Sequence, residues 1–213
     1  MNADEYLSAA LPETVTLLGQ RLMPFSLGHY KRLLRWKNWF VLPIEDRADA
    51  PPQLHDLIMG VWICCQSWEE CTEGLFDRNL HSKLKKWGEN VGKFDFAGKC
   101  NRFTQYIADG SKWPEVHNPA HSGRSSGSPF VHRVQMILQG KLGHSLSEAL
   151  NKPWGEAIWD YFGFWEMEGA VQLFSQDDVE NRKMASAMDD AIARILARGE
   201  TLTHETIVAE MEK

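Results

Sequence analysis

From Leu54 to Leu75 the apolar positions Leu54, Leu57, Ile58, Val61, Cys64, Cys65, Trp68, Cys71 and Leu75 fall on one stripe. Asp56, Gln66, Glu69, Glu70 and Glu73 fall away from it. Recurrence at three and four residues predicts one amphipathic helix of about five to six turns. Shorter stretches follow the same rule. Leu27, Tyr30, Leu33 and Leu34 give a helix to Lys37, with Ser26 placed to cap its first turn. Basic Leu80 to Trp87 and then Lys99 to Ile107 give two more, and Val131, Val134, Ile137, Leu138 and Leu142 another. Ser145-Leu-Ser-Glu148 has the form of a capping box, and Pro153 suits a first helical turn, where its missing N–H costs little.

The helix from Trp154 to Trp165 is apolar around more than half its circumference, through Trp154, Ile158, Trp159, Tyr161, Phe162, Phe164 and Trp165. A face that wide is either central or shared with a partner, so Trp154, Trp159 and Trp165 are the candidate partner-binding residues, with Trp159 the ring expected to be exposed. Ser175 is placed to cap the last long helix, where Met184, Met188, Ala191, Ile192, Ile195 and Leu196 form an expected buried stripe ending at Gly199. Thr203 caps a final short helix. A short strand is expected over Thr14 to Gly19.

Gly110 to Pro129 breaks the periodicity, with three prolines, three glycines and five serines. It reads as a loop joining two helical lobes, 1–109 and 131–213, with 110–130 between them. The fold class is therefore mainly α, with at most a minor strand near the N-terminus. Leu57, Ile58, Val61, Cys64, Trp68, Trp154, Ile158 and Trp165 are expected to be buried.

Composition adds little to class but narrows partners. A net charge of -6 disfavours a general nucleic-acid binder. The charge is uneven: Arg78 to Arg102 holds seven Lys/Arg against two acids, and Ser175 to the end holds five against nine. Solvated helix faces account for this, as does docking between copies or onto a larger assembly. The nine Trp residues fit a well-anchored core or a core plus an aromatic docking face. The acidic start, Met1-Asn-Ala-Asp-Glu, lacks the layout of a secretory signal, and no apolar run approaches the roughly 20 residues of a membrane helix. Cys64, Cys65, Cys71 and Cys100 do not form a disulfide framework, which points to reduced thiols in the cytoplasm.

Tests for chemistry are mostly negative. Gly123-Arg-Ser-Ser-Gly127 matches a nucleophile elbow with Ser125 as nucleophile, but neither flank supplies the strand or the helix that strains it. His117 and His121 are four apart, yet Pro119 stands between them and no Glu follows His117. No C-x-x-C pair or phosphate-cradling glycine motif occurs, so no catalytic, metal or cofactor site is expected. Lys83 to Arg102 interleaves cations with Trp87, Phe94 and Phe96, an arrangement that serves single-stranded nucleic acid or else a basic helix with its rings turned inward.

Leu18-Gly-Gln-Arg-Leu-Met-Pro-Phe-Ser-Leu-Gly-His29, the Ile63-Cys-Cys-Gln-Ser-Trp68 segment, and Pro153-Trp-Gly-Glu-Ala-Ile-Trp-Asp-Tyr161 with Trp165-Glu-Met-Glu-Gly169 resemble the tail-assembly-chaperone type of tailed-phage and prophage morphogenesis proteins. The resemblance covers about half the chain and carries no catalytic signature. It implies a cytoplasmic helper in a bacterial host that organises the tape-measure protein during tail building. Expected partners are other assembly proteins or further copies of the chain, with no membrane. A virion structural component, or a nucleic-acid-associated protein using 78–102, are the alternatives.

Overall fold

The computed structural model describes residues 14–47, 50–91, 95–117, 127–174, 176–198, 201 and 203–211. Among them the chain is mainly helical, as the periodicity implies. Thr16–Leu17 (β1) and Gln20–Arg21 (β2) pair antiparallel, so the expected N-terminal strand is a hairpin. Leu18 and Gly19 turn it with φ of 53° and 74°, the hand that matches strand twist and that glycine adopts freely.

Leu27–Arg35 (α1) starts where Ser26 and His29 satisfy each other. The Ser26 hydroxyl accepts the His29 N–H at 3.2 Å, and the Ser26 N–H donates to His29 Nδ1 at 3.1 Å. The long stripe after Leu54 is two helices rather than one, Leu54–Cys64 (α2) and Trp68–Gly74 (α3). The break has a local cause. Ser67 and Glu70 form a second capping box: Ser67 Oγ accepts the Glu70 N–H at 3.2 Å, and the Glu70 carboxylate accepts the Ser67 N–H at 2.8 Å. Carbonyls freed at the break find partners elsewhere, Cys64 with the Met23 N–H and Gln66 with the His29 ring. Ser67→Ala is expected to cost about 1 kcal/mol, read as a lowered urea midpoint with an unchanged slope. No loss would mean that tertiary packing alone sets the break.

Leu80–Val91 (α4) and Phe96–Asp109 (α5) follow, the second begun by Asp95, whose carboxylate accepts the Gly98 N–H. Glu115–His117 (β3) lies inside the segment expected to be a loop, and pairs antiparallel with Gln172–Phe174 (β4), Val116 opposite Leu173. Phe130–Gly140 (α6), Leu146–Asn151 (α7) and Trp154–Met167 (α8) come next. The Ser145–Glu148 capping box opens α7 as expected, and Pro153 directly precedes α8.

The segment 110–130 does not separate two cores. One continuous core runs from Leu17 through Leu57, Val61 and Phe103 to Leu138, Ile158 and Tyr161. Main-chain bonds join its two sides: Leu27 N–H to the Lys152 carbonyl at 3.0 Å, Trp154 N–H to Phe25 at 2.7 Å, and Gly155 N–H to Gly110 at 2.9 Å. Short runs of backbone at Phe25–Leu27 and Lys152–Trp154 thus lie side by side like a two-strand seam. Of the residues expected inside, Leu57, Ile58, Val61, Cys64, Trp154 and Ile158 are buried, while Trp68 and Trp165 are half-buried.

Gln176–Ala197 (α9) and His204–Met211 (α10) pack as a pair. Ala191 and Ile195 are buried, and Arg194 and Arg198 grip the buried Glu210 carboxylate at 3.1 and 2.7 Å. The Thr206 N–H donates to Thr203 Oγ1 at 3.2 Å, which caps α10. The predicted α9 stripe needs correction: Met184 is 65% exposed, Met188 43% and Leu196 57%. Helix α10 is eight residues long and covers only the C-terminal part of α9, and Leu196 is turned about 100° from Ile195 around the axis. Ser175 and Gly199, expected to bound α9, lie outside the described residues.

Candidate functional site

The aromatic helix does not supply an open docking face. Trp154 is buried, stacked on Tyr30 at 4.8 Å with an interplanar angle of 14°, and Phe130 meets it edge-on. Trp159, expected to be exposed, is only 5% accessible because Leu173 of β4 and Val116 of β3 pack over it. Half-buried Trp165 touches Tyr161 and Phe164, and its buried indole N–H has no hydrogen-bond partner among the described residues. The wide apolar face of α8 is closed by the chain's own strands and by α6.

Ser125 and His121 lie outside the described residues, and His117 ends β3 opposite Gln172 instead of standing on a helix. Among the described residues no group of three or more His, Cys, Asp or Glu is placed to hold a metal ion. The four thiols are free. Burial pushes the Cys64 thiol up, and raises Cys71 to about 11, far from the depressed values of reactive cysteines. No helix among the described residues is long and apolar enough to cross a membrane. On α4, Lys83, Lys85 and Lys86 are exposed and Trp87 is half-buried against the core, while Phe94 lies outside the described residues.

Among the described residues an open groove of about 880 Å³ lies between the end of α1 and helices α2 and α4. Leu54, Ile58 and Met59 of α2 and Leu84 of α4 line it, and Trp36, 50% exposed, stands at one end. Gly88 lets α4 approach: a Cβ there would come within 3.1 Å of Ile58 Cδ1. The polar rim is Lys85 and Glu89 with the imidazoles of His55 and His81. Each wall has a local cause. Helix α1 ends at Arg35, and Lys37, at φ 50°, turns the chain sharply just beyond the Trp36 ring. Helix α2 is apolar nearly all round, so it serves the core with Leu57 and Val61 and still shows Leu54 and Met59 outside.

Neither a protein-family model, nor a curated protein, nor a solved structure matches the chain.

The groove was not singled out from the sequence, because its floor uses the same residue types and spacing as the core. The usable signals were Trp36 at the end of a helix and Gly88 inside one.

Proposed function

We propose that this chain is a non-catalytic protein-binding factor that takes an amphipathic helical segment of another assembly protein into the groove between α1, α2 and α4. The setting is phage or prophage particle assembly, in the manner of a tail-assembly chaperone for the tape-measure protein. The groove carries the reading. A trough with an apolar floor, an aromatic ring at one end and charged edges is the form that accepts the apolar face of a helix. Its rim pairs one cation, Lys85, with one anion, Glu89, beside the imidazoles of His55 and His81, which suits a segment with polar edges. The resemblance to the phage family supplies the setting and the partner.

Co-expression with a tailed-phage tape-measure protein is expected to give a soluble complex. Trp36→Ala is expected to weaken that complex by about 2 kcal/mol or more, because exposed aromatic anchors dominate such interfaces, with the melting temperature unchanged. Equal affinity for wild type and Trp36→Ala would remove the groove from the reading. Recovery of the protein from finished particles would favour a virion component over a transient chaperone. Binding to single-stranded nucleic acid that collapses as salt rises, with Trp36→Ala without effect, would favour the basic segment 78–102 instead.

A further inference from the structure

We infer that strands β3 and β4 form a lid over Trp159, one that opens while the core stays folded and bares the outward aromatic face of α8. Helix α8 divides its rings between two clusters. Trp154, Ile158 and Tyr161 belong to the main core, whereas Trp159 joins a smaller cluster with Leu173 of β4, Val116 of β3 and Phe162. Phe162 packs against both clusters. Among the described residues, none from β3 or β4 is part of the main core. Lifting the two strands therefore empties the small cluster and leaves the large one intact.

The strands themselves are lightly held. Each has three residues, and a two-stranded sheet is marginal by itself in water, so this one depends on the rings beneath it. Val116 and Leu173 stand opposite each other, and the Leu173 N–H, turned away from β3, donates to a Glu166 carboxylate oxygen at 2.9 Å. Glu166 is exposed, so water competes for that bond. Both approaches to the lid offer a joint. The chain enters β4 through Gly169, at φ 72°, just after the end of α8. It enters β3 from Trp113, which keeps its place by stacking on Phe130 at 5.5 Å with an interplanar angle of 3°. Segments that bury few apolar side chains open at a fraction of the global unfolding free energy, in microseconds to seconds. Trp159 thus has two states: 5% exposed under the closed lid, and bared beside Phe162 when the strands lift.

The test is hydrogen exchange of the full chain at neutral pH. Amides of β3 and β4 are expected to exchange at least about a hundredfold faster than those of Val61 and Ile158, yet to keep measurable protection. Glu166→Ala is expected to speed the strand amides about tenfold and to leave Val61 and Ile158 unchanged. Leu173→Cys supplies a second measurement, because a thiol at that position is sealed beneath the closed lid. Towards a maleimide it is expected to react at least about a hundredfold faster than Cys64, which is fully buried in the main core and serves as the internal reference. Strand amides, or a thiol at position 173, that respond only at the core's rate would overturn the inference, since the lid would then open only with the whole fold. Strand amides with no protection would overturn it too, because no closed lid would exist. So would Glu166→Ala acting equally on strand and core amides.

Discussion

Trp154→Ala is expected to cost about 3–5 kcal/mol of unfolding free energy, the range for emptying a buried aromatic site. The ring is 2% exposed, with Tyr30 stacked on one face and Phe130 edge-on to it. Phe130 in turn packs edge-on against Tyr161. Removing the indole leaves a cavity whose walls are themselves held by other rings, so collapse into it is limited. The Trp154 N–H to the Phe25 carbonyl survives the substitution, which confines the loss to packing. For a chain of this length the melting temperature falls by roughly 2–4 °C per kcal/mol, so a drop of about 10 °C is expected. Trp36→Ala is the control, since that ring is half exposed. Similar melting temperatures for Trp154→Ala and wild type would contradict the single shared core.

Stability is expected to fall as pH is lowered from about 6.5 toward about 4, through His29. Its pKa is lowered from 6.5 to about 4, chiefly by burial and in part by the nearby Arg32 charge, against a partial rise from the Gln66 carbonyl. The ring accepts at Nδ1 from the Ser26 N–H, so the proton sits on Nε2 and is donated to the Gln66 carbonyl at 2.7 Å. Protonation puts a hydrogen on Nδ1 facing the Ser26 N–H and breaks the cap of α1. Because the folded pKa lies below the unfolded one, the unfolded chain binds more protons in this window. The neutral ring's contribution is complete above the unfolded pKa and is lost as pH falls through the folded one. The gap corresponds to about 3 kcal/mol. Urea unfolding between pH 7.5 and 4 measures it. His29→Gln is expected to be less stable at neutral pH and to lose most of the slope below pH 6.5. A variant whose slope matches wild type would assign the effect elsewhere.

The helices were legible because each carries its own period and several carry their own caps, as Ser26, Ser145 with Glu148, and Thr203 do. The break at Cys65–Ser67 was hidden by a stripe that stays in phase across it, although the Ser67–Glu70 capping box was present in the sequence. The cover over Trp159 was not legible at all. Strands β3 and β4 have three residues each and stand far apart along the chain, too short for alternation to register. For α9 the stripe could be read but not its cover, since the length of α10 decides which half is buried. The groove escaped for a related reason: Leu54, Ile58 and Leu84 obey the same spacing whether a neighbour covers them or not.

The seam between Phe25–Leu27 and Lys152–Trp154 bears on how the chain folds during synthesis. Its two edges are separated by more than a hundred residues, so closing it means ordering a very long loop before the contact repays the entropy. Phe25 and Leu27, fully covered in the finished protein, lack the part of their cover that α7 and α8 supply until those helices have left the ribosome. At elongation rates of about 5–20 residues per second this exposure lasts on the order of ten seconds. A cut between β3 and α6 in the finished protein is therefore expected to leave two fragments that stay together through their common interior.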